Sequence, residues 1–150
     1  MEVLITGGAG FLGSKLAHKL LERGTLADGS GKQQSITRIV LLDQAAAQGF
    51  SDARISAVTG DVADAATIAK VLTPSIQSVF HLAAVVSGEA ESDFDLGMRI
   101  NLDATRFLLD QARKNGNRPR FVFTSSVAVF GGDLPAKVLA STPATPQGSY

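Results

Sequence analysis

Five short runs of apolar and β-branched residues recur along the chain, each bounded by glycine, proline or polar residues. Such runs predict buried β-strands, because a strand covered on both faces does not alternate polar and apolar positions. The predicted strands cover residues 2–6, 38–43, 54–59, 78–82 and 120–124.

Segments between these runs have apolar residues three or four positions apart, which places them on one face of a helix. The predicted helices cover residues 11–23, 64–72 and about 96–115. Residues 25–37 are polar and glycine-rich and are predicted to be a surface loop, and the acidic residues 89–95 a solvated loop at the start of the third helix. The alternation predicts an α/β domain: a doubly wound parallel sheet with helices on both faces, truncated after about five strands.

The chain has 150 residues, with 14 Lys and Arg against 14 Asp and Glu, which suits one domain of balanced charge. Because no basic stripe is present, we expect no nucleic-acid partner. No apolar run approaches the roughly 18 residues of a membrane span, and no secretion signal is present, so a cytoplasmic protein with no membrane partner is expected. The chain has no Cys, and His18 and His81 lie far apart, so we predict neither a disulfide nor a metal site.

The sequence T-G-G-A-G-F-L-G lies between the first predicted strand and the first predicted helix. In such a loop Gly7 permits a tight turn, Gly10 lets the backbone approach a pyrophosphate, and Gly13 lets the helix pack closely on the strand. The phosphates are expected at the start of the helix, at Phe11 and Leu12, where free N–H groups and the helix dipole favour anions. The loop therefore predicts a dinucleotide site in a Rossmann-type sheet.

Asp43 closes the second strand, where a carboxylate can accept hydrogen bonds from both ribose hydroxyls of adenosine. It lies 30 residues past Gly13, rather than the roughly 20 usual for this pattern, and the polar insertion between them accounts for the difference. The carboxylate would repel a 2′-phosphate, so the predicted cofactor is NAD rather than NADP. A turn or capping role for Asp43 is the alternative.

Further cofactor contacts are predicted at the ends of the third and fourth strands, because open sheets bind ligands at the carboxyl edge. Asp61 is a candidate acceptor for the adenine amino group, with a plain helix-start aspartate as the alternative. His81 is interpreted as a packed strand residue rather than a catalyst. The remaining predicted contacts at this edge are Val62, Leu82, Ala83 and Ala84.

Hydroxyl side chains follow the fifth strand at Ser125 and Ser126, and Tyr150 lies 24 residues after Ser126. Taken alone, serines at a strand end are commonly caps. Together with the glycine loop they point to a family. The chain resembles the extended short-chain dehydrogenases/reductases, the NAD-dependent epimerase/dehydratase group.

Three motifs carry this resemblance, and they occur in the family's order over nearly the whole chain. T-G-G-A-G-F-L-G matches the family's glycine motif, and T-S-S-V-A-V-F-G resembles its hydroxyl segment, with Phe130 in place of the usual Tyr. In N-L-D-A-T, Asn101 matches the family's helix asparagine and is predicted to contact the cofactor. Ala104 takes the place of a glycine in the same motif. Within the family, the chain is most similar to the D-erythronate dehydrogenases, which oxidise the C2 hydroxyl of a four-carbon sugar acid.

The resemblance implies a role for each hydroxyl. Tyr150 is the general base that takes the substrate's hydroxyl proton, and Ser126 holds the substrate oxygen. Ser125 and Ser87 are the other predicted substrate contacts. A free tyrosine has a pKa of about 10, and in the family a lysine four residues later assists the catalytic tyrosine.

That lysine position lies beyond Tyr150, the last residue of the sequence. We therefore expect the chain to be the N-terminal, NAD-binding half of a longer enzyme, without the C-terminal part that forms most of the substrate pocket. By itself the half is expected to be inactive and prone to associate through the apolar strand 120–124. The full-length enzyme is expected to be a homodimer that acts on a sugar acid.

Two other functions share some of these motifs. A nucleotide-sugar epimerase or dehydratase of the same family has all of them and differs in the C-terminal part. A non-catalytic dinucleotide-sensing module shares only the cofactor motifs. The pair of Ser126 and Tyr150 counts against the sensor, because a sensor needs no proton acceptor.

Overall fold

The computed structural model describes all residues from 1 to 150. Strands and helices alternate along most of the chain, and the residues after the last strand contain a single short turn of helix. In chain order the elements are β1 Glu2–Thr6, α1 Phe11–Arg23, β2 Thr25–Ala27, β3 Gln33–Ser35, β4 Arg38–Asp43, β5 Ile55–Thr59, α2 Ala65–Val71, β6 Ile76–His81, α3 Ser87–Ser92, α4 Phe94–Gly97, a π-helical turn Met98–Asp103, α5 Ala104–Asn115, β7 Arg120–Phe123 and a 3-10 turn Val127–Val129.

Five strands form one parallel sheet in the order β5-β4-β1-β6-β7. β1 pairs with β4 on one side and with β6 on the other, in registers that place Thr6 beside Leu42 and His81. The chain therefore winds outward from β1 in both directions, which confirms the predicted doubly wound fold. The crevice between the carboxyl ends of β1 and β6 is the point at which sheets of this kind bind ligands.

The two faces of β1 lie in two different hydrophobic clusters, because alternate side chains of a strand point to opposite sides. Leu4 packs with Ile68 of α2 and Leu108 of α5. Ile5 packs on the other face with Ala17 of α1. All five residues are fully buried. The carboxyl end of β1, from which the glycine loop starts, is thus held from both sides.

Residues 25–37 do not form the predicted loop, although the five predicted strands are confirmed with shifts of one or two residues at their ends. β2 and β3 pair as an antiparallel hairpin within this segment. Its turn is held by the carboxylate of Asp28, whose pKa is lowered to about 2 by hydrogen bonds from the side chains of Ser30 and Gln34. The hairpin was not predicted because its polar strand Gln33–Ser35 has no alternating apolar positions.

The acidic residues 89–95 are also not a loop, because α3 covers most of them and Asp93 caps α4 by accepting a hydrogen bond from the N–H of Leu96. The third predicted helix is divided by a π-helical turn that contains Asn101. Ile100, Ala104 and Leu108 are spaced four residues apart and lie buried in one cluster across this turn, so the apolar spacing did not reveal it. None of the helices combines the length and apolar character needed to cross a membrane.

Candidate active site

The glycine loop connects β1 to α1, and Gly7 and Gly13 are two of the three glycines in it that have no room for a side chain. Gly7 has a φ of +72°, and a Cβ there would lie 2.9 Å from the backbone nitrogen of Ala83. A Cβ on Gly13 would collide with the carbonyl oxygen of Gly7. Gly7 therefore serves the predicted tight turn. Gly13 allows close packing on the loop itself, rather than on the strand as predicted.

Gly10 differs from these two because a Cβ there would meet only the carbonyl oxygen of Gly7, at 3.3 Å. Its exposed side therefore faces open space at the start of α1. The N–H groups of Phe11, Leu12 and Gly13 donate to no acceptor in the chain. Free N–H groups at a helix N-terminus bind anions, so this end of α1 has the donors that a pyrophosphate requires.

Asp43 lies at the carboxyl end of β4, beside the glycine loop. One carboxylate oxygen, Oδ2, accepts a hydrogen bond of 3.0 Å from the N–H of Ala9, and Oδ1 accepts one of 3.0 Å from the N–H of Ala45. Each carboxylate oxygen can accept a second bond. Asp43 thus anchors the loop and still has lone pairs for ribose hydroxyls, so the predicted turn role and ribose role are compatible.

Two adjacent cavities open along the carboxyl edge of the sheet. The first, of about 650 Å³, runs from the glycine loop past Asp43, and the second, of about 640 Å³, extends toward Tyr150. Both are lined by Leu12, Leu82, Ala83, Ala84 and Val86. A ligand with two linked halves can therefore occupy both cavities and pass over this shared wall.

Asp61 does not line either cavity, although its neighbours Gly60 and Val62 line the first. Its carboxylate accepts hydrogen bonds from Arg99, at 2.5 Å, and from the N–H of Ala63. Burial raises the pKa of Asp61, but these bonds and the charge of Arg99 outweigh burial and hold the pKa below its usual value. The predicted adenine contact has to compete with this ion pair.

His81 is buried at the end of β6, with only 2% of its surface exposed. The hydroxyl of Thr105 donates to a backbone carbonyl, so it accepts from Nε2–H of His81 at 3.0 Å. The hydroxyl of Thr6 accepts from the N–H of Ala83 and donates to Nδ1 at 2.6 Å. Burial lowers the pKa of His81 to about 4. The ring is therefore neutral and joins the base of the glycine loop to α5, in keeping with its interpretation as a packed residue.

The second cavity brings together the hydroxyl residues predicted from the sequence. Ser125, Ser126 and Tyr150 all line it, although Ser126 and Tyr150 are 24 residues apart. Ser126 Oγ also accepts a hydrogen bond of 3.1 Å from the N–H of Ala128 and so caps the 3-10 turn. Ser87 is exposed at the start of α3 and lines neither cavity.

Asn101 lines the second cavity, but its side-chain amide is committed to the backbone. Oδ1 accepts from the N–H of Val85 at 2.9 Å, and Nδ2 donates to the carbonyls of Val85 and Ser149 at 3.1 and 3.0 Å. Asn101 therefore shapes the cavity wall through its neighbours.

Gly8, Arg99 and Ser149 are among the site residues that were not predicted. A Cβ on Gly8 would lie 2.8 Å from Cβ of Leu41, and the extra glycine in the motif was the available signal. Arg99 lines the first cavity and Ser149 the second. Neither has a local sequence signal, because their partners are distant along the chain.

Comparison with known proteins matches this architecture to one family over nearly the whole chain. Residues 3–150 match the model of the NAD dependent epimerase/dehydratase family. The D-erythronate dehydrogenase of Cupriavidus necator is 57% identical over the whole chain, which spans 46% of that protein's length. The chain thus spans about half the length of the curated relatives it matches.

Two solved structures share the fold. The nucleoside-diphosphate-sugar epimerase of Agrobacterium tumefaciens superimposes with a TM-score of 0.86 and 39% identity, over 99% of this chain and 44% of the other. The dTDP-glucose 4,6-dehydratase of Streptomyces venezuelae, solved with NAD bound, superimposes with a TM-score of 0.79 and 27% identity, over 100% of this chain and 47% of the other.

Proposed function

The chain belongs to the NAD-dependent epimerase/dehydratase family, and on that premise we propose that it binds NAD and supplies catalytic residues to a sugar-acid dehydrogenase. The favoured reaction is oxidation of the C2 hydroxyl of a four-carbon acid such as D-erythronate to the 2-keto acid. The single observation that carries this proposal is the pair of cavities that meet at one wall. One cavity contains the anion-binding glycine loop and Asp43, and the other contains Ser126 and Tyr150.

The residues of the first cavity fit NAD. The free N–H groups of Phe11 and Leu12 would bind the pyrophosphate, and the space beside Gly10 admits it. Asp43 would accept the adenosine ribose hydroxyls. The small residues Ala83 and Ala84 would let the cofactor cross into the second cavity.

In the second cavity Ser126 Oγ would hold the substrate's C2 oxygen by a hydrogen bond. The oxygen of Tyr150 would take the proton from that hydroxyl, and a carbon–oxygen double bond would form. When bound, NAD supplies the acceptor for the hydride that leaves the same carbon. Proton and hydride thus leave from one alcohol group, and the products are a ketone and reduced NAD.

An assay of NAD reduction tests whether D-erythronate is the substrate. The full gene product that carries residues 1–150 should reduce NAD when D-erythronate is added, as the name of the 57% identical relative suggests. Replacement of NAD by NADP should slow the reaction, because Asp43 would repel a 2′-phosphate. NAD binding without any reduction would favour the non-catalytic module over the enzyme.

A nucleotide-sugar epimerase or dehydratase is the second candidate. Its support is the overlap with the nucleoside-diphosphate-sugar epimerase from Agrobacterium tumefaciens, whose TM-score is 0.86. Such an enzyme would convert UDP- or dTDP-sugars with no net consumption of NAD. Chromatography of a nucleotide sugar after incubation with the gene product separates the two activities.

A homodimer remains part of the proposal, as does a cytoplasmic location. Phe94, Leu102 and Leu109 are each more than half exposed, and they recur at spacings of eight and seven residues along α4 to α5. A helical surface with this repeat is suited to packing against a second copy. Sedimentation of the gene product, with Leu102→Glu and Leu109→Glu as the contrasting variant, tests the dimer.

A further inference from the structure

Ser149 is the single buried residue between positions 131 and 150, the stretch that ends with Tyr150. Only 8% of its surface is exposed. Its hydroxyl donates a hydrogen bond of 3.0 Å to the carbonyl of Ala90 in α3. Its own carbonyl accepts one of 3.0 Å from Nδ2 of Asn101 in the π-helical turn. The residue before the tyrosine is therefore fixed at both its side chain and its backbone.

The position that receives Ser149 is shaped by a glycine. A Cβ on Gly97 would collide with Oγ of Ser149 and would lie 2.8 Å from its Cβ. Gly97 is itself buried and adopts ordinary helical angles, so its backbone does not require glycine. Its missing side chain instead leaves the space that Ser149 fills. Ala90, Gly97 and Asn101 together form what we call the serine socket.

The serine socket is connected to the wall between the two cavities. Asn101 binds both the N–H and the carbonyl of Val85, the residue between Ala84 and Val86 in that wall. The same side chain binds the carbonyl of Ser149. One asparagine thus links the backbone that would lie under the cofactor to the backbone that carries Tyr150.

We propose that Ser149 is a positioning residue for Tyr150, and that its insertion in the serine socket fixes the tyrosine ring in the second cavity. Without it, the residues from 131 onward have little buried surface to hold them, because every other residue in that stretch is exposed or half-exposed. The catalytic consequence rests on the proposed function, since it requires Tyr150 to be the base. The placement of the ring does not.

Ring placement is measurable in residues 1–150, at a concentration where sedimentation shows a monomer, because this chain has one Tyr and no Trp. Tyrosine fluorescence therefore reports only Tyr150, which is 37% exposed. Ser149→Ala should raise acrylamide quenching toward the value of free N-acetyltyrosinamide, with an unchanged circular dichroism spectrum. Ser141→Ala, an exposed serine in the same stretch, should leave quenching unchanged. Equal quenching of Ser149→Ala and the unsubstituted chain would overturn the proposal.

A second pair of variants tests the socket itself and does not rely on Ser149→Ala folding. Gly97→Ala should expel Ser149 and raise quenching. In a Ser149→Gly background the added Cβ no longer meets Ser149 and keeps only a contact of 3.0 Å with Cβ of Ala90, so Gly97→Ala should then change quenching much less. Effects that simply add in the double variant would show that the two positions are not coupled and would refute the socket.

Activity of the full gene product completes the test. Ser149→Ala should lower kcat by about ten- to a hundredfold, the effect of a displaced catalytic group, while NAD affinity and KM stay close to their original values. A rise in KM with unchanged kcat would contradict a positioning role. If the unsubstituted protein oxidises no sugar acid, the proposed function fails, and ring placement is still decided by the quenching data.

Discussion

The carboxylate of Asp43 accepts a hydrogen bond of 3.0 Å from the backbone N–H of Ala9, in the middle of the glycine loop. Asp43, which is expected to accept hydrogen bonds from the ribose hydroxyls, thus also fixes the shape of the loop proposed to bind the phosphates. Its substitution has two consequences that must be separated, loss of a negative charge and loss of a loop anchor.

Asp43→Asn and Asp43→Ala separate these consequences. Asn retains an oxygen that can accept from the N–H of Ala9, so we expect the loop to keep its shape while the preference for NAD over NADP falls by about tenfold. Ala removes the acceptor as well, and NAD affinity should fall further, in line with the roughly 1.5–3 kcal/mol of a charged hydrogen bond. Calorimetric titration with both cofactors checks this. Equal affinity of the unsubstituted protein for NAD and NADP would contradict the role of the charge.

Gly10 and Gly13 should respond in opposite ways to added side chains. Gly10→Val should abolish NAD binding with little loss of stability, because its side chain would fill the phosphate space and its Cβ meets only the Gly7 carbonyl oxygen. Gly13→Ala should lower the free energy of unfolding by about 1–3 kcal/mol, as overpacking does. Titration with NAD and urea unfolding of both variants provide the comparison. NAD affinity that survives Gly10→Val would remove the phosphate assignment.

The predictable parts of this molecule depend on residues close in sequence. The strands are marked by their own apolar runs, and the dinucleotide loop by glycines within seven positions of one another. Parallel strands bring their carboxyl ends to one edge, so the meeting of Ser126 with Ala83 and Ala84 in one cavity also followed from the pattern.

The parts that could not be predicted depend on contacts between distant residues. The ion pair that engages Asp61 comes from Arg99, 38 positions away, and Ser149 reaches Ala90 across 59 positions. Neither partner lies in a motif. The π-helical turn at Asn101 also has no spacing signal, because Ile100, Ala104 and Leu108 keep a spacing of four residues across it and lie in one buried cluster.

His81 should make the folded state sensitive to moderate acid. Its pKa is lowered by burial from an ordinary 6.5 to about 4, so the unfolded chain binds the proton more readily. Stability is then full above pH 6.5 and is lost as the pH falls toward 4, by about 2–3 kcal/mol. Asp28 and Asp52, whose pKa values are lowered from 3.8 to about 2, lose their contribution to stability mainly between pH 4 and 2.

Urea unfolding between pH 7 and 4 measures this dependence. His81→Gln should be less stable at pH 7, because the links to Thr6 and Thr105 are altered, but its stability should change less over the same range. An undiminished slope in His81→Gln would assign the acid sensitivity to other groups.

Tyr150 and Ser126 should affect turnover much more than cofactor binding, because both line the cavity beyond the glycine loop. Tyr150→Phe in the full gene product should lower turnover by about 10²–10⁴-fold, the usual contribution of a proton acceptor, while the ring still packs and NAD binds. Ser126→Ala should lower turnover and also loosen the 3-10 turn, since Ser126 Oγ caps the N–H of Ala128. Ser141→Ala is the control, because Ser141 is exposed and lines neither cavity. Steady-state kinetics with NAD binding measured alongside decides the assignment, and full activity in Tyr150→Phe would exclude Tyr150 as the base.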